Sequence, residues 1–183
     1  MVTTGERPRT IRLDPGEASR RAARVRLVLT DCDGVLTDGG VYVSERGEEL
    51  KRFSLRDGMG VERLRDAGIA TAILTREKSP IVARRAEKLG IRLFDGVADK
   101  AAALAAILAE HGATPDVTSY IGDDLNDLPV MAALAGEGLT AAPGDAEPRV
   151  IDTVHYVCAR SGGAGAFREL AEWILSHRRR ELE

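Results

Sequence analysis

Aromatic residues are scarce in this sequence, 4% of 183 residues, so it offers few ring faces on which nucleic-acid bases could stack. An excess of one charge is missing too. Lys and Arg number 26 against 29 Asp and Glu, for a net charge of −3, and that balance gives no electrostatic footprint for nucleic acid. The 2 cysteines, Cys32 and Cys158, lie far apart with no metal-knuckle spacing. They exclude a disulfide framework and make a reducing cytoplasm the expected setting. His111, His155 and His177 have no ligand partner at suitable spacing, which leaves zinc without a site. No apolar run approaches the roughly 18 residues of a membrane span. The run after Arg20-Arg21 is broken by Arg24 and Arg26 and is too short for a signal peptide. The expected protein is a soluble globular chain whose partner is neither nucleic acid nor membrane.

What the chain does have is length and apolar content for one domain with a core, 44% of residues being hydrophobic. Residues 1–22 are polar, with two prolines and no periodicity, and read as a disordered tail before a domain over 23–183. Strand-like and helix-like segments then alternate. Val25–Thr30 is a short apolar strand. Residues 41–53, "VYVSERGEELKRF", read as a β-hairpin. A helical stretch follows over 58–67, then a buried strand, "GIATAILT". Ser79-Pro80 opens a helix that Gly90 ends. "IRLF", "VTSYIG", "GEGLTAAP" and "TVHYVC" are further strands, separated by "DKAAALAAILAEHG" and "NDLPVMAAL" as helices. "GAFRELAEWILSHRRR" closes the chain as an amphipathic helix. In that helix Trp173, with Leu170 and Ile174, reads as core or subunit interface. Strands alternating with helices predict βαβ units around a parallel sheet.

In such sheets chemical groups gather beyond the carboxyl ends of the strands. The residues following the strands here are Asp31 and Asp33, then Thr75, then Asp99 and Lys100, then Asp123 and Asp124. All are polar, and all are expected in one crevice. Acids crowded at one strand end need a cation, and hard oxygen donors without His or Cys suit Mg²⁺. Mg²⁺ binds through one or two carboxylates plus substrate phosphate, so a phosphorylated substrate is implied. A carboxylate such as Asp31 can attack phosphorus to form an aspartyl-phosphate. Asp33 can give a proton to the leaving alcohol and later take one from water. Thr75 and Lys100 can bind phosphoryl oxygens. Asp123 can close the metal site, with Asp124 and Asp127 supporting it from behind, Asp127 through water.

"DCDGVLTDG", "LTRE", "DK" and "GDDLND" resemble, in order, the four motifs of the haloacid dehalogenase phosphatase superfamily. The resemblance covers about residues 25–175. It implies a Rossmann-like three-layer α/β sandwich with Asp31 as nucleophile and Asp33 as acid/base. It further implies Mg²⁺ held by the side chains of Asp31 and Asp123 and the backbone carbonyl of Asp33, and phosphate held by Thr75 and Lys100. Only a hairpin and one helix separate the first two motifs, which leaves no room for a cap domain. "DGVLTDGGVYVSERGEELKRFSLRDGMG" is similar to the capless branch acting on octulosonate 8-phosphate and nonulosonate 9-phosphate, the 3-deoxy-2-keto sugar acids. That branch forms homotetramers in which the hairpin and the C-terminal tail, here about residues 160–180, help cover a neighbour's site. "SGGAGAFREL" matches its Gly-rich tail.

Glu77 and Lys88 match the nonulosonate-type members, so nonulosonate 9-phosphate is the favoured substrate and octulosonate 8-phosphate the alternative. Arg76 replaces a common glycine; it either adds a cation for the substrate carboxylate or shifts specificity away from both sugars. Arg56 and Asp57 are either a helix cap and its neighbour or sugar contacts. Cys32 stands where an aliphatic residue is usual and fits as a small hydrophobe. Three rival functions stand beside the phosphatase. A phospho-accepting receiver would carry its acceptor Asp after the third strand, where this order of acids does not place it. A non-catalytic oligomerisation module, like those fused to acylneuraminate cytidylyltransferases, would show loss of the nucleophile or the lysine, and neither is lost. A phosphomutase would need the cap that this chain has no room for.

Overall fold

The computed structural model describes residues 10–180. A seven-stranded sheet runs in the order β1-β9-β8-β7-β2-β5-β6. Its centre is β2 (Leu27–Thr30), flanked by β5 (Ala70–Leu74) and β7 (Thr118–Ile121), both parallel to it. Outside these lie β6 (Arg92–Phe94), β8 (Leu139–Ala142) and β9 (Tyr156–Val157), also parallel. Only β1 (Thr10–Ile11) runs antiparallel, against β9. The central strands are buried on both faces, which is why β2 and β5 read as largely apolar runs rather than as an alternation.

Successive residues of β2 feed different cores. Val28 belongs to one cluster with Ile73 and Ile121. Leu27 and Leu29 belong to a second with Leu74 and Tyr120. The first cluster is covered by α1 (Pro15–Arg24), α2 (Leu55–Asp66), α3 (Pro80–Leu89) and α7 (Ala166–Arg180). The second is covered by α4 (Lys100–Glu110), α5 (Leu128–Ala135) and α6 (Pro148–Thr153). This is the expected three-layer α/β sandwich. A separate two-stranded hairpin, β3 (Thr37–Ser44) and β4 (Gly47–Phe53), begins four residues earlier than expected and is the only insertion before α2 among the described residues.

The disordered tail expected over residues 1–22 is corrected from residue 10 onward; residues 1–9 lie outside the described residues. Asp14 caps α1, its side chain accepting the N–H groups of Gly16 and Glu17 at 2.9 and 3.3 Å. Pro15 occupies the first turn, where its missing N–H is harmless. The buried face of α1 is alanine only, Ala18, Ala22 and Ala23, and it packs on α7. In the C-terminal segment α7 packs on α1 and α2. Trp173 is core, its ring centroid 4.5 Å from that of Tyr156. The α3 boundaries fall as read, with Ser79 as N-cap and Gly90 left-handed at φ +64°.

Candidate active site

The ends of β2, β5 and β7 meet in a pocket with a volume of about 470 Å³. Asp31, Asp33, Thr75, Asp123 and Asp124 line it, with Arg76, Glu77, Gly39, Leu125 and Asn126. The groups after β2, β5 and β7 thus share one crevice, at the place where the chain order reverses across the sheet on either side of β2. Asp99, expected there too, does not line it; it caps the helix that Lys100 opens, accepting the Ala102 N–H at 2.9 Å.

Asp31 follows β2 directly, and its Oδ1 accepts the N–H of Cys32 at 2.6 Å. Three further N–H groups, those of Val35, Leu36 and Thr37, converge on the Cys32 carbonyl and fold the loop tightly. Cys32 is fully buried, as a small hydrophobe should be. Gly34 has φ +80°, and a Cβ there would lie 1.9 Å from Asp123 Oδ2. Glycine thus brings the loops after β2 and β7 into contact.

Lys100, the first residue of α4, sends its side chain back under this loop and is 2% exposed. Its Nζ lies 2.9 Å from Asp31 Oδ2, 2.6 Å from Asp127 Oδ1 and 3.2 Å from the Tyr120 hydroxyl. The Tyr120 hydroxyl donates to Asp127 Oδ1 at 2.6 Å. Asp127 Oδ2 accepts the N–H groups of Asp123 and Asp124 at 2.9 and 3.3 Å. One carboxylate oxygen each from Asp31, Asp123 and Asp127 lies within 4.8 Å of the others. Asp127 is thus a fully buried member of the acid cluster, with both of its oxygens taken up by Lys100 and Tyr120 and by two backbone N–H groups. Asp124 is exposed, and its side chain caps the following turn by accepting the Leu125 N–H at 2.7 Å.

Burial, then the charge of Asp127, pushes Asp31 up to about 6 despite Lys100. Burial and the charges of Asp31, Asp127 and Asp124 push Asp123 up to about 8. Asp123 Oδ1 is buried with no hydrogen-bond partner. Excess negative charge together with an orphaned, all-oxygen donor fits a hard divalent cation.

Thr75 is buried at the end of β5, its Oγ1 accepting the Glu77 N–H at 3.3 Å. Arg76 and Glu77 are exposed in the pocket wall. Lys88 is not brought to the site. It is exposed on the last turn of α3, about 12 Å along the axis from the end that faces the pocket. Arg56 is exposed on the first turn of α2, outside the pocket lining. Asp57 is buried and accepts the N–H groups of Gly165 and Arg168 at 3.2 and 2.9 Å, capping α7 rather than meeting a sugar. The Gly-rich stretch has a local reason as well. A Cβ on Gly162 would sit 1.8 Å from the Gly34 carbonyl oxygen, so the chain here packs backbone to backbone on the loop after β2.

Sequence reasoning missed Lys51 and Glu48 of β4. Lys51 Nζ lies 2.8 and 2.7 Å from the two carboxylate oxygens of Asp33 and 3.2 Å from Glu48 Oε2. The other Glu48 oxygen, Oε1, accepts from the Ser79 hydroxyl. Burial acts to lower the Lys51 pKa, but its partners Asp33 and Glu48 outweigh that and leave it raised. Residues three apart in a regular strand face opposite ways. Here Leu50 pairs with Tyr42 and Glu48 with Val43, so Glu49 is an extra residue and the bulge turns Glu48 to the side of Lys51. No local pattern signals that bulge.

No family model matches the sequence. Whole-chain comparison does find relatives. The 3-deoxy-D-manno-octulosonate 8-phosphate phosphatase of Yersinia pestis is 43% identical over 157 residues, 85% of this chain and 82% of the relative. That of Haemophilus influenzae is 42% identical over 85% and 86%. The chain belongs to this family. It is a capless haloacid dehalogenase phosphatase, a phosphoric monoester hydrolase. A family structure from Moraxella catarrhalis, in complex with magnesium, phosphate and KDO (3-deoxy-D-manno-octulosonate), superposes with a TM-score of 0.83 at 33% identity. It covers 91% of this chain and 94% of that one. A cobalt-bound structure of the Haemophilus influenzae family member gives 0.83 at 41% identity over 86% and 91%.

Proposed function

We propose that this chain is a Mg²⁺-dependent phosphatase of 3-deoxy-D-manno-octulosonate 8-phosphate that works through an aspartyl-phosphate on Asp31. The observation that carries the reading is the buried Asp31–Lys100–Asp127–Asp123 cluster, with its orphaned Asp123 oxygen, at the carboxyl end of the sheet. Asp31, Asp123 and the Asp33 backbone carbonyl are the proposed Mg²⁺ ligands, with Asp124 and Asp127 supporting the site. When bound, Mg²⁺ supplies charge neutralisation to the acids and the phosphoryl oxygens.

An Asp31 oxygen attacks phosphorus and the bond to the ester oxygen breaks. Asp33 gives its proton to the leaving alcohol. It then takes a proton from water, whose oxygen attacks the acyl phosphate and releases inorganic phosphate and free Asp31. Lys100 and Thr75 bind the phosphoryl oxygens.

Glu77 and Lys88 favoured nonulosonate 9-phosphate in the sequence. Lys88 stands clear of the pocket, and the relatives above carry the octulosonate name, so the eight-carbon acid is the better supported substrate. Arg76, a cation in a pocket wall otherwise rich in acids, is the proposed partner of the substrate carboxylate. We also propose a cytoplasmic homotetramer. The hairpin exposes Val41, Tyr42, Val43 and Leu50, from 47% to 69% of each, an apolar surface suited to a second copy. Among the described residues no helix is long and apolar enough to cross a membrane.

The test is phosphate release with Mg²⁺ from octulosonate 8-phosphate, nonulosonate 9-phosphate, its N-acetylated relative and common sugar phosphates, with Asp31→Asn as control. Preference for octulosonate 8-phosphate is expected. Preference for the nine-carbon acids would return the assignment to Glu77, and full turnover by Asp31→Asn would remove the nucleophile. Light scattering on the same sample tests the tetramer.

A further inference from the structure

Lys100 holds Asp31 and Asp127 but does not reach the acid/base carboxylate, Asp33. Asp33 lies on the solvent side of the loop, with 29% of its side chain exposed. An unrestrained Asp there would sample several rotamers, whereas proton transfer requires heavy atoms about 2.6–3.2 Å apart. The structure supplies the restraint from the hairpin. The Lys51 ammonium sits nearly equidistant from both carboxylate oxygens, at 2.8 and 2.7 Å, and so fixes the plane of the group. The Thr37 hydroxyl donates to Oδ1 at 3.3 Å. Lys51 is itself restrained. Its side chain is 4% exposed, and Glu48 takes a second side of the ammonium at 3.2 Å. Glu48 in turn is bound by Ser79, the N-cap of α3, which follows the pocket-wall residues Thr75 to Glu77. Asp33, Lys51, Glu48 and Ser79 therefore form one chain of contacts from the loop after β2, through the hairpin, to the loop after β5.

We infer that Lys51 is the positioning residue for Asp33, with Glu48 and Ser79 as its anchor. The inference rests on the acid/base role proposed for Asp33. Lys51 touches neither phosphate nor metal in this role; it acts only through the orientation of one carboxylate. Its loss should cost most where the leaving group most needs a proton. Sugar alkoxides are poor leaving groups, and p-nitrophenolate is a good one.

The experiment compares Lys51→Met and Lys51→Arg with the parent on octulosonate 8-phosphate and on p-nitrophenyl phosphate, each also in an Asp33→Asn background. Lys51→Met should lower kcat on the sugar phosphate by about 10–10², the scale of an ångström-level misplacement. It should leave KM within about twofold and slow the aryl phosphate less. Lys51→Arg should recover part of the loss. In the Asp33→Asn background Lys51→Met should add nothing. Equal losses on both substrates, an effect confined to KM, or a full multiplicative loss on top of Asp33→Asn would each overturn the inference. Should Lys51→Met fail to fold, Glu48→Gln gives the same reading, because it loosens the anchor and leaves the ammonium; it must show the same leaving-group selectivity. Asp33→Asn by itself, turning over at the parental rate, would refute the acid/base role and is read separately.

Discussion

Lys100→Met removes the only cation among the described residues in contact with both Asp31 and Asp127, and the structure sets the size of the effect. The ammonium lies 2.9 Å from Asp31 and 2.6 Å from Asp127, and Lys100 and Asp127 are 2% and 0% exposed. Water cannot replace it. Breaking a buried pair from one side typically costs about 3–5 kcal/mol, because the partner charge is left uncompensated. At about 2–4 °C per kcal/mol for a chain of this size, Tm should fall by about 6–20 °C at neutral pH. The pH dependence follows from the same groups. Burial and the neighbouring Asp127 already hold Asp31 at about 6 against an ordinary 3.8, and loss of the cation raises it further. A carboxyl whose folded pKa is raised destabilises the fold progressively as pH climbs above its unfolded value. The deficit of the variant should therefore be smallest near pH 4 and grow through neutrality. Lys100→Met/Asp127→Asn should recover much of it by removing one of the stranded charges. Thermal melts by circular dichroism across that range are the assay. A Lys100→Met protein with parental Tm at every pH, or one whose deficit shrinks on raising the pH, would refute the reasoning.

Three further outcomes are expected. Asp33→Asn should slow phosphate release by roughly 10²–10⁴, the usual share of general acid/base catalysis, with the fold intact by circular dichroism; no slowing would remove it from that role. Gly34→Ala forces a Cβ into Asp123 at a left-handed φ of +80°, and Mg²⁺ affinity should fall on the order of 10–100-fold, measured by Mg²⁺ titration of activity; unchanged affinity would mean that the loop yields freely. Asp123 is held at about 8, well above its ordinary value, by burial and neighbouring acids, so the metal-free protein should lose stability as pH rises towards about 8. The gain in Tm on adding Mg²⁺ to chelator-treated protein should then be larger at pH 8.5 than at pH 5.5, and the reverse order would contradict the assignment.

Much of this site is legible in the sequence because strand-end chemistry is local. An apolar strand followed by Asp-x-Asp, or by Thr, places those groups at one edge of a parallel sheet, whatever the rest of the chain does. The same locality explains one avoidable miss. Asp14-Pro15 is the same kind of helix start as Ser79-Pro80. The helix behind it hides because its buried face is built of alanines among arginines and carries little apolar signal. Glu77 and Lys88 show the limit from the other side. Their spacing is a fact of the sequence, but only Glu77 reaches the pocket, since the axis of α3 carries Lys88 away from it.

The sequence by itself determined the alternation of strands and helices, the acid-rich strand ends and the lysine that opens α4, because each follows from neighbours a few residues apart. The tertiary structure decided which acids form the cluster, since Asp127 joins Asp31 only when Lys100 and Tyr120 fold beneath both. It also decided that Gly162 touches Gly34 and that a bulged strand brings Lys51 to Asp33. These contacts join elements distant in the chain. The close approaches, bulges and buried charges that make them leave no periodic trace along the chain.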